Sequence, residues 1–154
     1  MIVFLDIDGV LVTTPSWKPV ALLDDGFMVF NTNASNNLQQ ILNKENCKVI
    51  LTSTHRIRYD SKKWKMIFET RNIQIESLSL LNSISSISLM KSRQEEILEW
   101  LELNKTSESF IILDDDSSLQ ELPPAVKARW IKTDYLTGLT IAKTTEALAL
   151  FQTS

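Results

Sequence analysis

Short, continuous apolar runs alternate along this chain with longer amphipathic stretches. Five runs read as β-strands: Met1–Leu5, Lys48–Thr52, Ile73–Ser77, Phe110–Leu113 and Arg129–Thr133. Between most of them, apolar residues recur at helical spacing. Asn36–Lys44 carries Leu38, Ile41 and Leu42 on one face, and Trp64–Arg71 carries Met66, Ile67 and Phe68. Ser92–Asn104 brings Ile97, Leu98 and Leu101 together with the stem of Trp100, and Ser92 and Glu95 have the spacing of a capping box. Thr140–Gln152 repeats the pattern after a turn at Gly138. Strands alternating with helices predict a parallel sheet covered by helices on both faces. The runs IVFL, KVIL and FIIL lack polar alternation, as strands buried on both sides do. The expectation is an α/β fold, a Rossmann-like three-layer α/β/α sandwich around a mainly parallel five-stranded sheet.

Composition narrows the picture. The 154 residues suit a single domain, 1–154, and the 44% apolar share is enough for a core. A net charge of −3 gives no global attraction to polyanions. One cysteine, Cys47, excludes an intrachain disulfide and a Cys-rich metal cluster; it reads as a small buried hydrophobe in a protein of the reducing cytoplasm. No apolar run reaches the roughly 20 residues of a membrane span, and the start lacks the basic region of a signal peptide. Residues 77–88 are Ser-rich but keep Leu and Ile, which suits a surface loop or an irregular strand. Trp17, Trp64, Trp100 and Trp130 read as core or half-buried packing.

Three strand ends carry polar chemistry. The first gives Asp6 and Asp8, the second Thr52, Ser53, His55 and Arg56, and the fourth Asp114, Asp115 and Asp116. In parallel sheets, ligands bind beyond the carboxyl ends of the strands. Clustered carboxylates repel one another unless a cation compensates them. Mg²⁺, a hard ion that prefers oxygen ligands, is the natural choice. Zinc is a poor one, because His55 is the only histidine. A carboxylate can also serve as a nucleophile. Asp6 and Asp8 would share one face of an ideal strand, but Gly9 marks a turn, so the two acids can differ in role.

The stretches DIDGV at 6–10, LTSTHR at 51–56 and ILDDD at 112–116 resemble, in order and after strands, three of the four motifs of the haloacid dehalogenase superfamily. The resemblance implies a Mg²⁺-dependent phosphohydrolase. Asp6 would be the nucleophile, Asp8 the general acid/base, and Thr52 a hydrogen-bond donor to the phosphoryl group. The metal shell would come from Asp6, the Asp8 backbone carbonyl, Asp114 and Asp115, with Asp115 preferred over Asp114 by position. The third motif is a Lys or Arg near the start of the helix before the fourth strand, and both Lys91 and Arg93 qualify. Ser53 and Arg56 are the substrate-binding candidates. An Asp at position 8 is the hydrolase form of the first motif.

The patterns R..EI..WL at 93–101 and KTD...GLT at 132–140 resemble a compact subgroup that occurs as phosphatase-like domains in multi-domain RNA-repair proteins. There a Trp usually precedes the Arg of the second motif; here that position is His55. The segments Val10–Asn46, with a hairpin-like stretch at Leu11–Phe30, and Ser77–Met90 are too short for a full cap. A minimal or cap-less enzyme follows, with an open site suited to a phosphate on a macromolecule such as a nucleic-acid end, or to a protein partner that supplies a lid. Residues 55–71 add Arg56, Arg58, Lys62, Lys63, Lys65 and Arg71 against only Asp60 and Glu69. This is either a solvated helix face or a track for a nucleic-acid backbone, with Tyr59 or Trp64 stacking on bases. Two rivals stand beside the hydrolase: a phosphotransferase of the same fold, and a non-catalytic module that keeps the acids for magnesium and works through a partner.

Overall fold

The computed structural model describes residues 1–15, 17–44, 46–82 and 90–152. Its elements are β1 (Ile2–Leu5), α1 (Thr32–Lys44), β2 (Lys48–Leu51), α2 (Ser61–Glu69), β3 (Ser77–Leu80), α3 (Arg93–Asn104), β4 (Phe110–Asp114), α4 (Pro124–Lys127), β5 (Trp130–Lys132) and α5 (Ile141–Gln152). Short 3₁₀ turns occupy Thr54–Arg58 and Ser117–Glu121. All strand pairs are parallel, in the order β3-β2-β1-β4-β5. Ile2 in the central strand stands opposite Lys48 on one side and Phe110 on the other.

Successive side chains of a strand point to opposite faces, and each face here finds an apolar cover. Val3, Leu5, Val49, Leu51, Ile111 and Leu113 join a core with Leu38 and Ile41 of α1, Trp64 and Phe68 of α2, and Ala147 and Phe151 of α5. Ile2, Phe4, Ile50 and Ile112 join a second core with Ile97 of α3, Leu119 and Leu122. The result is the three-layer α/β/α sandwich expected from the pattern. No described helix is long and apolar enough to cross a membrane.

Several boundaries differ from the expected ones for physical reasons. Helix α2 starts at Ser61 rather than Trp64, because Asp60 Oδ1 accepts the Lys63 N–H and caps an earlier turn. The third strand lies at Ser77–Leu80, not Ile73–Ser77. Ile73 and Ile75 are buried as anchors of the connection after α2, so their apolar character reports packing and not pairing. The strand itself is an edge, with alternating exposure and, among the described residues, ladder pairing to β2 alone. The Ser-rich stretch therefore opens as a strand; its residues 83–88 lie outside the described residues. Helix α1 begins at Thr32 rather than Asn36, because Asn31 Oδ1 accepts the Ala34 N–H at 3.0 Å and caps an earlier turn. At α3 the expected cap is found: Ser92 Oγ accepts the Glu95 N–H at 3.2 Å. Trp17, expected in packing, is 71% exposed.

The segment between β1 and α1 contains one isolated antiparallel bridge, Leu22 with Met28, around a turn at Gly26. It is fastened to the sandwich by Arg71, just past α2. This buried guanidinium donates to the carbonyls of Met28 at 2.9 Å, Phe27 at 3.0 Å and Ile67 at 2.8 Å, and pairs with Asp25 at 2.6 Å. It also lies 4.8 Å from the centroid of the Phe30 ring. The Arg71 hydrogen bonds pull the Asp25 carboxyl down to about 2. A depressed carboxyl adds stability that is complete above its ordinary value and is lost as pH falls through the folded one. Asp25→Ala should therefore unfold several degrees below wild type at pH 7, and the two should converge as pH approaches 2. Thermal unfolding followed across pH checks this; equal midpoints at pH 7 would refute the fastening.

Candidate active site

After β1 the chain builds β2 and β3 on one side, and β4 then returns to the other side. The strand order reverses between β1 and β4, the place where an open parallel sheet leaves a crevice. The sheet ladder continues one step past the strands: the Asp6 N–H donates to Leu113 O at 3.1 Å, and the Thr52 N–H to Leu5 O at 2.8 Å. Asp6, Thr52 and Asp114 are thus set side by side by backbone pairing.

The loop after Asp6 is wound around one carbonyl. Ile7 O accepts from the N–H groups of Val10, Leu11 and Val12 at 3.2, 2.8 and 3.1 Å. Gly9 sits at φ +80°, and a Cβ on it would run into the Asp115 carboxylate. Glycine here serves both the turn and the close approach of that acid. The loop is braced from behind, where Leu139 N–H donates to Val10 O at 2.9 Å and Asn37 Nδ2 donates to Leu139 O at 2.8 Å. The turn gives the two acids different surroundings. Asp6 is buried, while the Asp8 side chain is 55% exposed.

Asp6, Asp114 and Asp115 can each place one carboxylate oxygen within 4.8 Å of the other two. Among the described residues, one cation answers them. Arg93 Nη1 pairs with Asp114 Oδ2, lies 3.5 Å from Asp6 Oδ1, and approaches Thr52 Oγ1 at 3.5 Å. The second Asp114 oxygen accepts the Asp116 N–H at 2.9 Å. Burial, reinforced by the Asp114 charge and opposed by Arg93, holds the Asp6 carboxyl well above its ordinary range. Burial also raises Asp114, against the pull of Arg93. Asp115 is pushed up to about 6 by burial and then by Asp114. Burial disfavours the Arg93 charge, but Asp6 and Asp114 outweigh it and hold the guanidinium above its ordinary value. Three carboxyl groups share one guanidinium in a site built of oxygen donors. That donor set fits a hard divalent ion such as Mg²⁺.

The other candidates are distributed differently. Ser53 is buried and its Oγ accepts the His55 N–H at 3.2 Å, capping the 3₁₀ turn. His55 Nε2 lies 2.8 Å from Asp8 Oδ2, and its ring meets the Phe27 ring edge-on at 5.3 Å. Arg56 does not reach the cluster. It is 1% exposed, donates to Leu81 O, Thr52 O and Ser53 O, and pairs with Glu96 at 2.5 Å. It is a strut between the loop after β2 and α3. Lys91 is exposed, and its ammonium is 2.6 Å from Glu99 Oε2. Of the two third-motif candidates, Arg93 is the one beside the acids. Trp64 is fully buried and offers no face for stacking. Glu96 has a part that sequence reasoning missed. Its signal was the Arg93–Glu96 spacing, which puts both on one side of α3.

A family model described as the HAD domain in Swiss Army Knife RNA repair proteins matches residues 2–144 of the chain. No curated protein and no solved structure matches it.

Millimolar Mg²⁺ should raise the thermal unfolding midpoint by a few degrees at pH 7.5, since a ligand that binds only the folded state stabilises it. A proton on Asp115 competes with a metal below about 6, so the rise should shrink markedly at pH 5. Gly9→Ala should remove the Mg²⁺-dependent rise at both pH values by displacing Asp115. Differential scanning fluorimetry reads all three; a rise equal at the two pH values, or retained in Gly9→Ala, would contradict the arrangement.

Proposed function

The chain belongs to the family of HAD domains in Swiss Army Knife RNA repair proteins, and from that membership we propose that it is a Mg²⁺-dependent phosphomonoesterase working through an aspartyl-phosphate. The observation that carries this reading is the convergence of Asp6, Thr52, Arg93, Asp114 and Asp115 at the reversal of strand order, with a second, exposed acid two residues from Asp6.

Asp6 is the nucleophile. Its carboxylate oxygen bonds to phosphorus as the bond to the leaving oxygen breaks, and Asp8 gives that oxygen its proton. Asp8 then takes a proton from water as the water oxygen attacks phosphorus, which breaks the Asp6–phosphorus bond and frees phosphate and Asp6. Thr52 and Arg93 orient the phosphoryl oxygens. Asp6, Asp114, Asp115 and the Asp8 backbone carbonyl would hold Mg²⁺, which supplies charge compensation between nucleophile and phosphate. Fixed charges and alignment of this kind provide most of the barrier reduction in phosphoryl transfer. The Asp6 environment fits such a role: burial disfavours its charged form, and added positive charge favours the anion that attacks phosphorus.

The segments following β1 and β3 are too short to form a domain that closes over a metabolite. An open site of this kind favours a phosphate carried on a large substrate, and a nucleic-acid end is the substrate class we propose. Asp6→Asn should abolish Mg²⁺-dependent release of phosphate from an aryl phosphate while leaving the fold intact. Asp8→Asn should slow it by a factor of about 10²–10⁴, the usual size of acid/base catalysis. Turnover by Asp6→Asn at the wild-type rate would sink the mechanism. A panel of sugar phosphates, nucleotides and phosphorylated oligonucleotides tests the substrate class; preference for the small molecules would count against a nucleic-acid end.

A further inference from the structure

Asp8 marks the leaving-group side of the site, and a line of alternating aromatic rings and cations starts there. His55 touches Asp8 and meets Phe27. The Arg58 guanidinium carbon lies 5.6 Å from the centroid of Phe27 and 5.7 Å from that of Tyr59. Lys63 Nζ lies 5.8 Å from the Tyr59 centroid. We propose that Arg58, Tyr59 and Lys63 form a docking ridge for a single-stranded nucleic acid whose terminal phosphate occupies the site at Asp6, a proposal that rests on the phosphomonoesterase reading.

The ridge is built to hold its cations without neutralising them. Among the described residues, Arg56, Arg71 and Arg93 are buried and paired with carboxylates, whereas Arg58 is exposed and neither it nor Lys63 forms an ion pair. The acid nearest in sequence, Asp60, uses Oδ1 to accept the Lys63 N–H at the start of α2. A guanidinium stacked on rings keeps its N–H edge for a phosphate and loses less side-chain freedom on binding. Tyr59 is half-buried and rests edge-on against the buried Trp64 at 5.3 Å, which fixes a ring for base contact. Phe27 and Trp64 are buried and serve only to seat Arg58 and Tyr59. The half-buried Tyr59 ring beside two cations suits a single strand, where stacking and backbone contact act together. The protein's net charge of −3 confines a polyanion to such a local patch.

The test separates binding from turnover. The full chain carrying Asp6→Asn is titrated into dye-labelled single-stranded hexaribonucleotides with a terminal phosphate at the 5′ or the 3′ end, and anisotropy is read across salt. Adding Arg58→Ala and Lys63→Ala should weaken binding of at least one of the two at least tenfold and lower the log–log salt slope by about 1.4, two phosphate contacts on a single strand. Tyr59→Leu should weaken binding and Tyr59→Phe restore it. Unchanged affinity and slope in the Arg58→Ala/Lys63→Ala protein, with a wild-type unfolding midpoint, would overturn the ridge, as would equally tight binding of a phosphopeptide of the same charge. With Asp6 restored, Arg58→Ala/Lys63→Ala should raise the oligonucleotide KM and leave aryl phosphate turnover as in wild type. Loss of aryl phosphate turnover in that variant would overturn docking in favour of a part in the chemistry. Absence of turnover in wild type would defeat the phosphomonoesterase reading, and with it the ridge as a substrate dock.

Discussion

Arg93 is the contact on which the site rests. Asp6 and Asp114 are brought together by backbone pairing that has no regard for charge, because strands β1 and β4 are neighbours in register. One guanidinium touching both acids makes their burial tolerable. Removing one partner from a buried charge pair typically costs about 3–5 kcal/mol, since the other is left uncompensated. The position of Arg93 is itself secured twice over. Ser92 caps α3 immediately before it, and Glu96, one turn on, is tied to Arg56. Because Arg56 also holds the carbonyls of Thr52 and Ser53, the end of β2 and the start of α3 are set by the same strut.

Three buried arginines thus divide the work of holding the site and its surroundings together. Arg56 locks two elements of the site to each other, Arg71 closes the segment after β1 onto α2, and Arg93 alone meets the acids. A planar, permanently charged group with five donors suits all three tasks, because it can meet several acceptors at once: carbonyls and a carboxylate at Arg56 and Arg71, two carboxylates at Arg93. Lysine at any of these positions would leave acceptors unfilled. The two acids of the first motif are divided just as sharply. The turn at Gly9 leaves Asp6 inside, among charges, and Asp8 outside against His55.

The sandwich was legible because the central strands are buried on both faces and so read as unbroken apolar runs. The third strand was not, since an edge strand with one solvated face, SLSL, looks like a loop, while Ile73 and Ile75 beside it look like a strand. The acids could be placed because strand ends are marked by abrupt changes from apolar to polar. The cations could not be ranked in the same way. Arg56, Arg58, Lys91 and Arg93 all lie close to motif positions, but only packing decides which guanidinium is consumed by carbonyls and which faces a carboxylate. Exposure was equally hidden: Trp17 and Trp64 are alike in sequence, yet one is 71% exposed and the other fully buried.

The brace behind the Gly9 loop bears on how the protein is made. Of the five strands in the sheet, the earliest along the chain lies in the middle, and one of its neighbours, β4, pairs Phe110 with Ile2. The carbonyl of Val10 receives its partner only when Leu139 is in place. Contacts so distant along the chain are slow to form and must wait for most of the sequence. A nascent chain therefore carries Asp6 and Asp8 long before it has the strand, the guanidinium and the brace that give them a defined geometry. The brace of the site is complete only once Leu139 has been made, although Asp6 and Asp8 are translated well before it.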